Sequence, residues 1–237
     1  MRRAFSILEL TVVAGITAVL VAISVPGLAQ ARRAAADAVT FNTLRHVVHA
    51  TSAYAGDNCD HLPFLATPRE PWQPIQFGDH KTYRDSYFLQ SRLVLTLVVP
   101  AYFNDPEMLV WNDCDYCADV SNDGVVYSSF WMTDTAFAAP RYWEGESTPD
   151  DLSLYRGMRV GDSVFPSAKG LVIDAARSAK AEAGGASVSP YFVARCDASA
   201  GTKPFDVQEY ADVPVRPYAA TPWPVMFTWD GFSGRDF

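Results

Sequence analysis

An unbroken apolar stretch near the start of the chain constrains its fold more than any other feature. From Leu10 to Leu28 the sequence contains no Lys, Arg, Asp or Glu, and Glu9 is the nearest charged residue before it. A core helix of a soluble domain would show a polar stripe at the 3.6-residue period, and this stretch shows none. An uncharged apolar stretch of this length is typical of a membrane-spanning helix.

Two simpler explanations of this stretch account for less of the sequence. A secretory signal has a shorter apolar run that ends in a cleavage site, whereas this run continues into sequence that still favours helix. A plain membrane anchor leaves Glu9 unexplained. Because an ionised carboxylate at the edge of the hydrocarbon costs about 2–3 kcal/mol, Glu9 is expected to have a partner or a role.

The residues on both sides of this carboxylate carry a resemblance to a known family. The segment A-F-S-I-L-E-L-T-V-V, which begins at Ala4, resembles the processing motif of type IV prepilins and type II secretion pseudopilins. In that family a short basic leader ends in a small residue, usually Gly, and an aromatic residue follows the cut. The resemblance implies that Ala4 ends a leader of residues 1–4 and that Phe5 becomes the N-methylated terminus. It also implies that Glu9, Phe5 and Pro26 serve in assembly. Ala4 departs from the commoner Gly and keeps its small size.

The same resemblance implies partners and a location. The partners are a prepilin peptidase, other pilin or pseudopilin subunits, and an inner-membrane assembly platform. The chain would cross the inner membrane once before assembly, with its head in the periplasm or at the cell surface. Arg2 and Arg3 agree with a cytoplasmic start by the positive-inside rule, whereas the pair Arg32 and Arg33 on the far side weakens that inference.

The apolar stretch is predicted to continue as one long helix. Apolar or small residues recur there at the spacing of one buried helix face, and Gly56 begins a stop signal. The helix is expected over 5–57, with a transmembrane part at about 8–28 and a length of about 75 Å. Pro26 removes a backbone donor, so we expect a bend or a looser turn there. The positions of the predicted buried face are Thr40, Leu44, Val47, Val48, Thr51 and Tyr54.

Residues 58–237 are predicted to form an exported globular head. Apolar runs bounded by turn residues predict strands. The apolar run 86–100 fits a helix or a buried strand by periodicity, and we favour a helix because a proline and two aromatic residues follow it. Near the end of the chain, Asp230 and Gly231 predict a tight turn that leads into a short return strand over 232–237. The fold class is therefore α+β, and the resemblance implies a pilin-like ladle with the long helix packed on an antiparallel sheet. The predicted strands before the turn are 108–111, 125–131, 170–174, 190–195 and 224–229.

The head also bears a weaker resemblance to the large-headed pilin-like proteins of bacteria. The segments NTLRHVVHATSAYAGDN and YSSFWMT and the terminal Asp-Gly turn occur in the same order as in those proteins. The likeness covers the N-terminal third well and the rest only at separate landmarks.

Four cysteines predict disulfides in an exported domain. Cys114 and Cys117 could close a local C-x-x-C bridge, and Cys59 could pair with Cys196, although three pairings exist in all. A zinc site is a weaker alternative, because the sequence has no second C-x-x-C motif.

The loop around the C-x-x-C motif is rich in carboxylates and ends in a glycine. Alternating carboxylates could bind calcium through oxygen ligands, but their spacing does not match the twelve-residue calcium loop, which also needs a terminal Glu. A solvated acidic loop with Asx turns is the simpler interpretation. The candidate calcium ligands are Asp113, Asp115, Asp119 and Asp123.

Charge and motifs exclude some classes of function. The formal net charge of −8 argues against nucleic acid as a main partner, since phosphate binding needs a basic face. The sequence contains no G-x-S-x-G, phosphate-binding glycine loop or H-E-x-x-H motif, so we predict that the chain is not an enzyme. The sequence therefore predicts a structural subunit of a pilus-like filament or pseudopilus. The alternative is a membrane-tethered exported protein that binds a surface or polysaccharide and does not polymerise.

Overall fold

The chain forms two compact units, Met1–Thr40 and Phe41–Phe237. The structure is a computed structural model that describes residues 7–65, 74–77, 80–83, 91, 94–98, 101–102, 129–144, 152–175, 191–203, 228 and 230–237. Its helices and strands make the chain an α+β protein, as the sequence predicted.

Helix α1 spans Ile7–Asp57 as one element of 51 residues. Pro26 lies inside it, and the helix continues on both sides of the proline. The predicted buried face of the second half is confirmed at Leu44, Val47 and Val48, which are at most 2% exposed. His46, which lies between these positions in sequence and outside the predicted buried face, is exposed. The 3.6-residue period alone therefore identified which side of this helix enters the core.

The end of α1 lies where the stop signal predicted it. The side chain of Asn58 donates to the carbonyl of Tyr54 at 2.7 Å, and the Asp60 amide donates to the Ala55 carbonyl at 2.8 Å. Cys59 and Asp60 both adopt left-handed backbone conformations, with φ values of 56° and 63°. Two successive left-handed residues reverse the chain, so the helix cannot continue.

The end of α1 is also held by an aromatic contact. The Tyr102 hydroxyl donates to the Asp57 carboxylate at 2.7 Å, and its ring lies edge-on to Tyr54 with centroids 5.8 Å apart. The hydrogen bond to Asp57 raises the pKa of Tyr102 above its ordinary value. The last turn of the helix is thereby tied to a residue distant in sequence.

Two antiparallel sheets are present in the described part of the head. The smaller is a hairpin of β1 (Pro74–Phe77) and β2 (His80–Tyr83). The larger has four strands in the order β3–β4–β5–β6, so every strand pairs with its neighbour in sequence. The four strands are β3 (Phe130–Met132), β4 (Gly170–Asp174), β5 (Tyr191–Arg195) and β6 (Ala200–Lys203).

Strand β4 is a fully buried inner strand of the larger sheet. All five of its residues are buried, and Val172 faces Met132 of β3 and Ala194 of β5 in the two ladders. The register shifts between Gly170 and Val172, which is the mark of a β-bulge. The core formed around this strand continues through buried residues of α1 and through the short helix α2 (Pro140–Trp143).

Short 3₁₀ helices refine one sequence prediction and overturn another. In the apolar run 86–100, which favoured an ordinary helix, the five residues Val94–Val98 form a 3₁₀ helix, with Leu95 fully buried. The return strand predicted over 232–237 is wrong. A 3₁₀ helix occupies Gly231–Ser233 there, because the left-handed Asp230 and Gly231 lead into a tight helical turn rather than an extended strand.

Candidate functional site

The apolar half of α1, residues 7–28, has no buried residue, and the helix is long and apolar enough to cross a membrane. Ile7 at the start of this half is 83% exposed, and Leu28 near its end is 54% exposed. Exposed apolar surface of this extent is unfavourable in water, so it calls for hydrocarbon or protein around it. The other large exposed side chains of this half are Leu8, Leu10, Val12, Val13, Ile16, Val19, Leu20, Val21, Ile23 and Val25.

The hydroxyl groups within this half are satisfied by the helix itself. Thr17 donates to the Val13 carbonyl at 2.8 Å, and Ser24 donates to the Leu20 carbonyl at 2.7 Å. Thr11 bonds in the same way to the carbonyl of Leu8 at 2.9 Å. A hydroxyl bonded back to its own helix can enter hydrocarbon without leaving an unpaired donor. The segment therefore offers an apolar surface in which only Glu9 carries charge.

Glu9 lies in the first turn of α1 and is exposed. Its position favours a carboxylate, since the free amide groups and the dipole at a helix N-terminus stabilise negative charge. Ala4 and Phe5, the residues of the predicted processing site, lie outside the described residues. Pro26, the third residue of the assembly prediction, is exposed near the end of the apolar half.

The cysteines are only partly described. Cys59 is exposed in the turn after α1, Cys196 is half-buried after β5, and both are free thiols. Burial raises the pKa of Cys196 to about 11, so its thiol stays protonated at neutral pH and reacts slowly. Cys114 and Cys117 lie outside the described residues, so their predicted bridge stays a prediction. Within the described ranges there is no disulfide.

The candidate calcium ligands, Asp113, Asp115, Asp119 and Asp123, also lie outside the described residues. Among the residues that are described, no group of three or more His, Cys, Asp or Glu side chains could hold a metal ion.

The turn after α1 is joined to the segment before the 3₁₀ helix Val160–Asp162. His61 and Arg159 form an isolated antiparallel bridge, and the Arg159 Nε donates to the His61 Nε2 at 3.2 Å. Leu62 extends the contact through its amide, which donates to the Met158 carbonyl at 3.0 Å. These bonds anchor the start of the head beside the end of its helix.

A buried polar cluster in the head was not predicted from the sequence. The Lys169 side chain is fully buried just before β4, and its Nζ lies 3.1 Å from Oδ2 of Asp236. The Lys169 Nζ also donates to the Thr228 hydroxyl at 2.6 Å, and that hydroxyl donates to Oδ1 of Asp236. The Gly170 amide donates to Oδ2 at 2.8 Å. Each oxygen of the Asp236 carboxyl thus has its own donors.

Lys203, at the end of β6, completes this cluster. Its Nζ donates to the backbone carbonyl of Asp236. Burial lowers the pKa of Lys169, and the nearby Asp236 carboxylate opposes part of that effect. The cluster fixes the last residues of the described chain to β4 and β6. No sequence signal could have revealed it, because its members are far apart and a lysine beside an apolar strand usually reaches solvent.

Comparisons of this chain with protein-family models, with curated proteins and with solved structures found no match.

Proposed function

We propose that this chain is a structural subunit of a type IV pilus-like filament or of a type II secretion pseudopilus, and that a prepilin peptidase processes it. The observation that carries the proposal is the setting of Glu9. This exposed carboxylate stands in the first turn of a helix whose next nineteen residues, 10–28, are uncharged. The basic leader and the aromatic residue at the expected distance before Glu9 support the same proposal.

The apolar half of α1 has two suitable environments in such a protein. Before assembly it lies in the inner membrane as a single span, and after assembly it lies in the core of a filament among other copies. Both environments cover the exposed apolar side chains, and both tolerate hydroxyls that are bonded to their own helix. The head, residues 58–237, would face the periplasm or the cell surface.

Glu9 gives the assembly step its specificity. After the cut, Phe5 would carry a charged amine, and Glu9 carries a carboxylate in or near hydrocarbon. Each charge alone is costly to bury, whereas contact between the amine of one subunit and the carboxylate of its neighbour offsets both costs. Apolar packing cannot set the axial register of the helices, since lipid tails and side chains are equally apolar. The ion pair can.

The pilin-like ladle belongs to the same proposal. A continuous α1 from Ile7 to Asp57 and a four-stranded antiparallel sheet are the elements that such a fold requires. In this arrangement the buried face of Leu44, Val47 and Val48 joins the helix to the head, and the exposed half is left for the membrane or filament.

Processing tests this function. The full chain is expressed with and without a prepilin peptidase, extracted in detergent, and its intact mass is measured. With the peptidase we expect loss of residues 1–4 and a terminus at Phe5. The Ala4→Gly variant, which restores the commoner leader residue, should be cut at least as fast, and an Ala4→Leu variant should remain uncut because its leader ends in a large residue. Retention of Arg2 and Arg3 in the wild type would contradict the proposal.

A further inference from the structure

The buried cluster around Lys169 holds the groups needed for a covalent bond. We propose that Lys169 and Asp236 become joined by an intramolecular isopeptide bond between Nζ and Cγ. This site lies within the head and does not depend on the proposed function of the chain. Its three reacting groups are the amine of Lys169, the hydroxyl of Thr228 and the carboxyl of Asp236.

The first requirement is a nucleophile close to the carbon it attacks. The Lys169 Nζ lies 3.1 Å from Oδ2 of the carboxyl, and both side chains are at most 1% exposed. Holding two reacting groups together in this way replaces a slow encounter in solution by an intramolecular step. Burial also favours the neutral amine over the ammonium, and the neutral amine is the nucleophile.

The second requirement is a path for protons from the nitrogen to the oxygen that leaves. Thr228 provides it, because its hydroxyl accepts from the Lys169 Nζ at 2.6 Å and donates to Oδ1 of Asp236. The Thr228 hydroxyl can therefore take up a proton from Nζ while it passes its own proton on to Oδ1. The hydroxyl is unchanged at the end of each transfer.

The third requirement is a donor for the charge that develops on the other oxygen. Oδ2 accepts a hydrogen bond from the Gly170 amide at 2.8 Å. When the amine attacks Cγ, negative charge grows on Oδ2, and a fixed amide stabilises it without reorganisation. The two carboxyl oxygens thus have different roles. Oδ1, beside Thr228, receives the protons and leaves, and Oδ2, beside the Gly170 amide, carries the developing charge.

The step balances without a further reactant. One proton passes from the Lys169 ammonium through Thr228 to Oδ1, which gives a neutral amine and a neutral carboxyl. The amine attacks Cγ, a second proton follows the same path, the Cγ–Oδ1 bond breaks, and one water molecule leaves. The third proton of the ammonium stays on the new amide nitrogen. No electron is gained or lost.

Burial favours the product over the ion pair. A buried ammonium and carboxylate each lose their hydration, and their attraction repays that cost only in part. The amide carries no charge, so the reaction removes both buried charges and returns a water molecule to solvent. The bond would fix the terminal segment to Lys169, which directly precedes β4, an inner strand of the larger sheet.

Mass spectrometry of the full chain tests the proposal. Detergent-extracted protein is denatured, reduced and alkylated, so that no ion pair or disulfide survives. We expect an intact mass lower by one water molecule than the mass calculated for the sequence with all four cysteines alkylated. Trypsin should then fail to cut at Lys169 and should release 160–177 joined to 236–237. Free peptides 160–169 and 170–177 in place of the joined peptide would overturn the proposal. A succinimide at an Asp-Gly bond would also lower the mass by one water molecule, but it would leave these two peptides free.

Three variants, each compared with the wild type, sharpen the test. Lys169→Arg keeps a cation but should show the full calculated mass, and a lower mass in this variant would overturn the assignment of the nucleophile. Thr228→Val should slow the appearance of the joined peptide by about 100-fold, the usual contribution of a positioned proton-transfer group, whereas Thr228→Ser should keep the rate within a few-fold of wild type. Equal rates for Thr228→Val and wild type would overturn the relay.

Discussion

The indole ring of Trp143 lies directly against Gly231, so closely that any Cβ at position 231 would overlap it. Trp143 ends helix α2 and is fully buried. Gly231 has a φ of 57°, a left-handed conformation that glycine adopts without strain. Position 231 therefore requires glycine for two reasons, its left-handed backbone conformation and the indole ring that covers it.

Replacing this glycine should destabilise the head. Gly231→Ala adds a methyl group to a left-handed residue and pushes it into Trp143, so we expect a loss of at least about 2 kcal/mol of unfolding free energy. Thermal unfolding of the detergent-extracted protein measures the loss. Gly161→Ala is the matched control, because a Cβ there meets nothing within 4 Å. Equal melting temperatures for the two variants would contradict the packing of Gly231 on Trp143.

The two halves of α1 should respond differently to the same substitution. Leu44 is fully buried, so Leu44→Ala should cost about 2–5 kcal/mol of head stability through lost burial and a cavity. Leu20 is 60% exposed, so Leu20→Ala should leave the unfolding of the head unchanged. The measurement is thermal unfolding of both variants in the same detergent. A similar loss in Leu20→Ala would show that the apolar half is part of the head's core.

Tyr142 should make the head less stable in alkali. Its pKa is raised above the ordinary 10.0, mainly by burial, so the folded protein keeps its proton when the unfolded chain has lost it. Its contribution is therefore complete below pH 10.0 and is lost progressively as the pH rises above that value. The melting temperature of the wild type should fall more steeply above pH 10.0 than that of Tyr142→Phe. Parallel curves would contradict this.

The acidic loop is predicted to contain a disulfide. Cys114 and Cys117 are separated by two residues in a chain whose head is expected to be exported, where thiols oxidise. In protein recovered from the periplasmic face, neither should react with a thiol reagent until a reductant is added. Cys59, which is an exposed free thiol, provides the positive control for labelling. Labelling of both loop cysteines without reductant would refute the bridge.

The sequence predicted the elements that have a strong local signal. Strand β4 spans the predicted residues 170–174, because a short apolar run between turn residues fits a buried strand. The buried face of α1 followed from periodicity, and its end followed from Gly56 and Asn58. In each case neighbouring residues carry the physical cause.

Long-range contacts had no such signal. Asp236 joins Lys169 and Lys203 from the other end of the head, and no local pattern relates these residues. The return strand after Gly231 failed for a similar reason, since Trp143 occupies the space beside the turn and the backbone forms a 3₁₀ helix instead. Tertiary packing overrides local preference at both places.

Assembly by Glu9→Ala protein tests the central proposal most directly. Wild type, Glu9→Ala and Glu9→Asp are compared in a system that assembles the wild type, by membrane fractionation and by recovery of shear-released filaments. We predict that all three insert in the membrane, because the apolar half is unchanged, and that Glu9→Ala is absent from filaments while Glu9→Asp retains part of the wild-type level. If Glu9→Ala enters filaments as well as wild type, the carboxylate does not direct assembly, and a tethered binding protein becomes the better account.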